Sequence, residues 1–236
     1  MSTIHIETPK EKIAKTVLMP GDPKRAEYIA KKFLDRVELV NVIRGMTAYT
    51  GYYKDKMVTI FPSGMGNPSM GTYSYELFKF YDVNNIIRIG SCGSYTPECG
   101  INDTVLVTYS CSDSNYARVM DGYQYNYVMA NQELNNVIEN TANGLGIKLT
   151  KGNIFSSDVF YEKNDNSKWR HEQFKALGIE MESFSLFNNA RYLNKKASCI
   201  LTVTNTFYDN KELTAKEREQ HLDNMIIIAL ESSLKI

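Results

Sequence analysis

The sequence predicts one α/β domain over residues 1–236, with a central mixed β-sheet flanked by helices. Short apolar, β-rich runs alternate with amphipathic helical patterns along the whole chain. No linker, low-complexity segment or internal repeat divides it, and a chain of 236 residues can bury one substantial core. Several β-rich runs also follow one another with no helix between them, which a purely parallel sheet does not allow.

Thr16–Met19 is the first strand, and Pro20-Gly21-Asp22-Pro23 closes it. Asp22 can cap the next helix, with Pro23 at its first position. Ala26, Ile29, Ala30 and Phe33 then share one helical face. Strands follow at Val37–Val42, Thr47–Tyr53 and Val58–Pro62, then a helix over Ser69–Tyr81. The run Ile86-Ile87-Arg88-Ile89 reads as a strand buried on both faces, opening into a small-residue turn at Gly90-Ser91-Cys92-Gly93. Thr104–Cys111 is strand and Asn131–Leu145 helix. A helix around Trp169–Leu177 is expected between strands at Gly152–Ser156 and Ile179–Glu182. Ser198–Thr204 is the last strand, and a helix runs from Thr214 to the end. Glu217 supplies the third-residue partner of a capping box there.

Charge and composition exclude several functions. Lys+Arg and Asp+Glu both total 27, so no net field draws the chain to nucleic acid or an anionic membrane. No apolar run approaches the ~20 residues of a membrane span. The start lacks a basic segment leading into an apolar signal stretch. Cys92, Cys99, Cys111 and Cys199 form no CxxC pair and no metal-ligand spacing with the three histidines. These features predict a reduced, metal-free cytoplasmic protein without a cofactor.

Four segments carry possible chemistry. Arg88 leaves a buried strand beside Ser91, and a charge placed there needs a partner. Gly90 and Gly93 would let backbone approach a ligand closely, so an anion such as phosphate is one reading. A buried ion pair with an internal carboxylate is the other. Arg25 falls in the first turn of a helix, where N–H groups favour anions; alone it also reads as a solvated surface residue. Ser63-Gly64-Met65-Gly66-Asn67-Pro68-Ser69 matches neither a Walker loop nor a dinucleotide fingerprint, and supports only a close-approach turn. In Gly178-Ile179-Glu180-Met181-Glu182-Ser183 an extended chain puts both carboxylates on one face, where they could accept from neighbouring sugar hydroxyls. The structural alternative has one glutamate capping a helix from Ser183 and the other solvated.

In order along the chain stand Pro20-Gly21-Asp22-Pro23-x-Arg25-Ala26, Val42-x-Arg44-Gly45-Met46, Gly64-Met65-Gly66-x-Pro68-Ser69, Ile86-Ile87-Arg88-x-Gly90-Ser91-Cys92-Gly93 and Glu180-Met181-Glu182. Together they resemble the bacterial-type, hexameric purine nucleoside phosphorylases, from His5 to the Met225–Glu231 segment. The resemblance implies a partly barrel-like sheet and phosphorolysis of purine nucleosides, with phosphate as co-substrate. It implies phosphate contacts from Gly21, Arg25, Arg88 and Ser91, and from Arg44 of a neighbouring subunit. His5 would cross the same interface to the ribose, which Met65, Met181 and Glu182 would hold. Phe160, Ile179, Glu180, Cys92 and Gly93 would line the base.

One position departs from that pattern. The family's last strand ends in Ser-Asp, and its aspartate is taken as the acid for purine N7; here Val203-Thr204-Asn205-Thr206 stands there. Arg218 matches the arginine that assists that aspartate. Asn205 donates and accepts hydrogen bonds but cannot deliver a proton as a carboxylic acid does. Either the amide serves 6-oxopurines, or turnover is weak and the chain binds nucleosides. Asp209, four residues on, could substitute only by a different loop path. Uridine phosphorylases read the base with a glutamine–arginine pair absent after Phe160, and the related nucleosidases lack the arginine set.

Overall fold

The computed structural model describes residues 2–214, 217 and 222–236. Ten strands form one sheet: β1 (Thr16–Met19), β2 (Asp35–Asn41), β3 (Ala48–Tyr53), β4 (Lys56–Ile60), β5 (Asn85–Ser94), β6 (Thr104–Cys111), β7 (Tyr127–Met129), β8 (Leu149–Ser156), β9 (Ala176–Glu180) and β10 (Lys196–Thr206). The order is β10-β6-β8-β9-β5-β1-β4-β3-β2, with β7 on β6. Because β10 also pairs with β5, the strands β5, β9, β8, β6 and β10 close on themselves. The sheet is mixed and partly a barrel, as the resemblance implies.

Helices α1 (Pro23–Phe33), α2 (Asn67–Phe80), α3 (Tyr116–Asp121), α4 (Gln132–Leu145), α5 (Ser167–Phe174), α6 (Ser183–Tyr192) and α7 (Asp223–Ser233) cover it. Asp22 caps α1 by accepting from Lys24 N at 2.9 Å, and Asn131 caps α4 by accepting from Leu134 N at 2.9 Å. Thr214 and Glu217 make the expected reciprocal exchange, Thr214 N to Glu217 Oε2 at 2.8 Å and Glu217 N to Thr214 Oγ1 at 3.3 Å. One apolar cluster packs Val17, Phe61, Ile86 and Val203 with Phe184 and Phe187 of α6. Another packs Leu18, Ile87 and Ile200 with Ile29 of α1, Ile138 of α4 and Ile226 of α7.

Among the boundaries that differ from the sequence expectation, three bear on the site. The turn expected at Gly90–Gly93 is strand, because β10 pairs with β5 as far as Ser94. The helix expected to reach Leu177 stops at Phe174, and β9 starts at Ala176, where it joins β8 and β5. The strand expected through Glu182 ends at Glu180, and Glu182 already stands at the N-cap position of α6. Each extension or truncation is decided by pairing with a distant strand, which local pattern does not contain.

The parallel strands β4, β1, β5 and β10 lie side by side, so their carboxyl ends share one edge. Gly21 follows β1, Ser63–Pro68 follows β4, Ser91–Ser94 ends β5 and Asn205 ends β10. In open α/β sheets that edge is where ligands bind.

Candidate active site

The turns after β1 and β4 are tied together, Ser63 N donating to Pro20 O at 2.8 Å, which brings Gly21 against Gly64. Gly66, at the start of α2, donates its N–H to Glu182 Oε1 at 2.6 Å. Arg88 donates from Nε to Glu180 Oε2 at 2.8 Å and from Nη2 to Glu182 Oε2. Gly21, Gly64, Gly66, Arg88, Glu180 and Glu182 therefore converge, although they stand on four separate segments.

Arg88 is 4 % exposed, and its Nη1 is buried with no hydrogen-bond partner among the described residues. Of the two sequence readings, the buried ion pair with an internal carboxylate is what the structure shows, with one donor of the fork left without a partner among the described residues. Burial alone would favour a neutral side chain, but the charges of Glu182 and Glu180 keep it cationic. The two glutamates do not share the arginine equally. Burial penalises the charge on both; at Glu180 the Arg88 charge and hydrogen bonds from Ser183 and from the N–H of Glu182 outweigh it, so its pKa falls. At Glu182 burial and the nearby charge of Glu180 prevail over Arg88, and the pKa rises.

Glu180, expected at the base, is buried beside Arg88. Its carboxylate accepts from Arg88 Nε, Glu182 N at 2.9 Å, Ser183 N at 3.0 Å and Ser183 Oγ at 2.6 Å. Enclosed in this way, it orients Arg88 and holds the first turn of α6. Gly90 also departs from expectation: it makes room for Arg88 rather than for a ligand. A Cβ there would stand 2.7 Å from Arg88 Nη2 and 2.8 Å from Cζ. The guanidinium is pinned by both glutamates and cannot swing aside cheaply. Gly90→Ala is therefore expected to destabilise the fold by about 1–3 kcal/mol, an overpacking cost. Thermal unfolding checks this; an unchanged midpoint would show that the arginine has slack.

Ser91 is half-buried and lies opposite Thr202 of β10. Arg25 is half-buried in the first turn of α1. Met181 is half-buried between the two glutamates, while Met65, between Gly64 and Gly66, is 74 % exposed.

The opposite end of the site forms around Gly93. The register of β10 skips Thr204, so Asn205 rather than Thr204 pairs with Gly93. That bulge re-aims the side chains: a Cβ on Gly93 would stand 2.7 Å from Asn205 Nδ2 and 2.6 Å from Phe207 Cε2. The glycine accommodates these two side chains rather than a ligand. Cys92 is buried beside Gly93, and Ile179 of β9 pairs with Gly93 from the other edge. Phe160 is 68 % exposed on the segment after β8, which starts where Ser157 N donates to Glu180 O at 2.8 Å.

Asp209 is committed elsewhere. It accepts from Thr206 Oγ1 and pairs with Lys211 Nζ at 2.8 Å, and those two partners hold its carboxyl below the usual range. The tight return of Lys211 to Thr206, Lys211 O accepting from Thr206 N at 2.9 Å, fixes this path. The substitute path considered for Asp209 is thus not taken. Arg218 lies outside the described residues.

His5 and Arg44 gather in a further group. His5 Nδ1 meets Glu76 Oε1 at 2.6 Å, and its ring lies edge-on to Tyr73 with centroids 6.1 Å apart. Arg44 is exposed at φ 57, and its charge acts on the Tyr73 phenol, whose pKa burial raises and Arg44 pulls back.

Phe207, Gly66 and Asn67 were missed as site residues by sequence reasoning. Asn67 is fully buried; its Oδ1 accepts from Ser185 N at 3.0 Å and its Nδ2 donates to Asp158 at 3.0 Å. Phe207 lies just beyond the end of β10, and no local pattern in the sequence marks it.

A family model described as the phosphorylase superfamily matches residues 15–231. The chain belongs to this family. It is 42 % identical over 238 residues to a DeoD-type purine nucleoside phosphorylase of Mycoplasma pneumoniae, covering 99 % of each chain. A DeoD-type purine nucleoside phosphorylase of Mycoplasma genitalium is 40 % identical over 236 residues. One from Shewanella oneidensis is 36 % identical with full coverage of both chains. The crystal structure of a uridine phosphorylase from Vibrio fischeri superposes with a TM-score of 0.89 at 23 % identity, covering all of this chain and 98 % of that one. That likeness shows the fold. No helix among the described residues is long and apolar enough to cross a membrane.

Proposed function

We propose that the chain is a purine nucleoside phosphorylase that exchanges the base of a purine (deoxy)ribonucleoside for phosphate and favours 6-oxopurines. The observation that carries the phosphorolytic part is Arg88: two of its nitrogens are fixed by Glu180 and Glu182, and the third, buried, has no partner among the described residues. A guanidinium held in this way presents a preorganised donor to an anion. Arg25 and Ser91 stand at the same strand edge, and Gly21 turns there. Phosphate is the co-substrate in this reading, and no cofactor takes part.

The chemistry follows from the placement. A phosphate oxygen attacks the anomeric carbon as the bond to purine N9 breaks, through an oxocarbenium-like transition state of the kind glycosidases use. Holding nucleophile and sugar in line contributes up to about 7–11 kcal/mol in ideal cases. Glu182 receives the ribose hydroxyls beside Arg88, and its carboxylate favours the developing cation. At the base, Asn205 Nδ2 donates to O6 and Oδ1 accepts from N7–H, N7 taking by way of solvent the proton that hydrogen phosphate gives up as the new C–O bond forms. A 6-amino group offers no acceptor to that Nδ2, which is the ground for the 6-oxo preference.

His5 and Arg44 find their use in a neighbouring copy, where they would reach ribose and phosphate; a homohexamer assembled from dimers supplies that geometry. Cytoplasmic purine salvage is the setting this activity fits.

Release of free base from inosine, guanosine, adenosine and uridine, with and without phosphate, tests the reading. Phosphate-dependent release from inosine and guanosine, with adenosine slower and uridine inert, is expected. Equal or faster adenosine turnover overturns the base preference. Release without phosphate would indicate a nucleosidase. Binding without release would indicate a nucleoside-binding homologue, the second reading that Asn205 itself favours.

A further inference from the structure

A second buried arginine stands behind the base end. Arg170 of α5 is 5 % exposed; its Nη2 donates to Glu162 Oε1 at 2.6 Å, and its guanidinium lies 4.1 Å from the centre of the Phe155 ring. Its Nε is buried without a hydrogen-bond partner among the described residues, and so is the Tyr95 hydroxyl. Burial pushes the Tyr95 phenol up, and the charge of Arg170 pulls the other way. The Tyr95 ring packs against Phe207 with centroids 5.3 Å apart.

Glu162 closes an arch. It accepts from Arg170, from Asn166 Nδ2 at 2.7 Å and from Ser157 Oγ at 3.4 Å. The chain thus leaves the sheet at Ser157 and is fastened again at Glu162. Between these points Val159, Phe160 and Tyr161 are exposed, with the Phe160 and Tyr161 rings 5.0 Å apart. A buried arginine–carboxylate pair is often no more stable than an apolar pair of the same volume, but its planar fork fixes one geometry.

We propose that Arg170 and Glu162 latch the Phe160 arch in place over the base end of the site, and that Tyr95 couples this latch to Phe207 beside Asn205. Arg170, Glu162 and Tyr95 are positioning residues. The inference rests on the reading that Phe160 lines the purine.

The test compares Arg170→Met, Arg170→Lys and Glu162→Ala with the parent chain. KM is measured for inosine and for phosphate separately, and inosine affinity by calorimetry. Loss of a charge-assisted hydrogen bond predicts a rise in inosine KM and Kd of about tenfold or more in Arg170→Met and Glu162→Ala. The KM for phosphate should stay within about twofold, since neither Arg170 nor Glu162 is among the hydrogen-bond partners of Arg88. Arg170→Lys keeps a charged donor toward Glu162 and should recover part of the loss. Unchanged inosine constants, or a parallel rise in both KM values, overturns the latch. If Arg170→Met fails to fold, Glu162→Ala, whose side chain is partly exposed, carries the comparison. If the parent chain shows no phosphorolysis, the proposed function fails, while calorimetry still reads the latch.

Discussion

Arg88→Lys is expected to leave the chain folded and to lower kcat/KM for phosphate by about two to three orders of magnitude, the usual cost of one preorganised donor. Lysine keeps the charge but brings a single ammonium centre in place of a planar fork. The fork points three ways here, to Glu180 through Nε, to Glu182 through Nη2, and through a buried Nη1 that has no partner among the described residues and that the proposed function gives to the anion. A point charge satisfies one glutamate well and leaves the other, and the anion, poorly held. Steady-state kinetics with phosphate varied would show the loss chiefly as that substrate's KM. Arg88→Met makes the contrast, since it leaves two buried carboxylates uncompensated. A destabilisation of about 3–5 kcal/mol is expected, or roughly 6–20 °C in melting temperature. If Arg88→Lys stays within about threefold of the parent in kcat/KM for phosphate, Arg88 is only an internal ion pair.

Local pattern revealed those parts of the fold whose cause is local. Thr104–Cys111 is strand and α4 runs between an Asn131 cap and Gly146, as alternation, capping and period predict. The face shared by Glu180 and Glu182 is also a local property, and both carboxylates do converge. What they converge on is Arg88, 92 and 94 residues away, and no local pattern carries that distance. The same holds for Gly90 and Gly93. Their need for open space was legible, but the occupants are Arg88, Asn205 and Phe207. Helix α3 and strand β7 were missed because they are short, and β7 exists only as a partner of β6. Motif order supplied the candidate residues, whereas long-range pairing decided which of them meet.

Asn205→Asp should raise turnover of adenosine by about 10²–10⁴-fold, the usual worth of a general acid. Sterically the exchange is nearly silent, since the two side chains differ by one terminal atom. The bulge at Thr204 fixes the backbone from which either side chain reaches over Gly93. Electrically it is large. An aspartic acid can place its proton on N7 of any purine, whatever the substituent at C6, so selectivity between inosine and adenosine should narrow as adenosine improves. Inosine need not gain in proportion, because O6 loses the Nδ2 donor that the amide provides. The pH dependence separates this from a packing effect: the variant should show a new alkaline limb, as the acid must carry its proton, and the parent should not. Parallel assays of both nucleosides across pH decide the matter. If adenosine turnover in the variant stays at the parent's level, proton delivery to N7 is not what limits this site, and the preference for a 6-oxo base loses its physical ground.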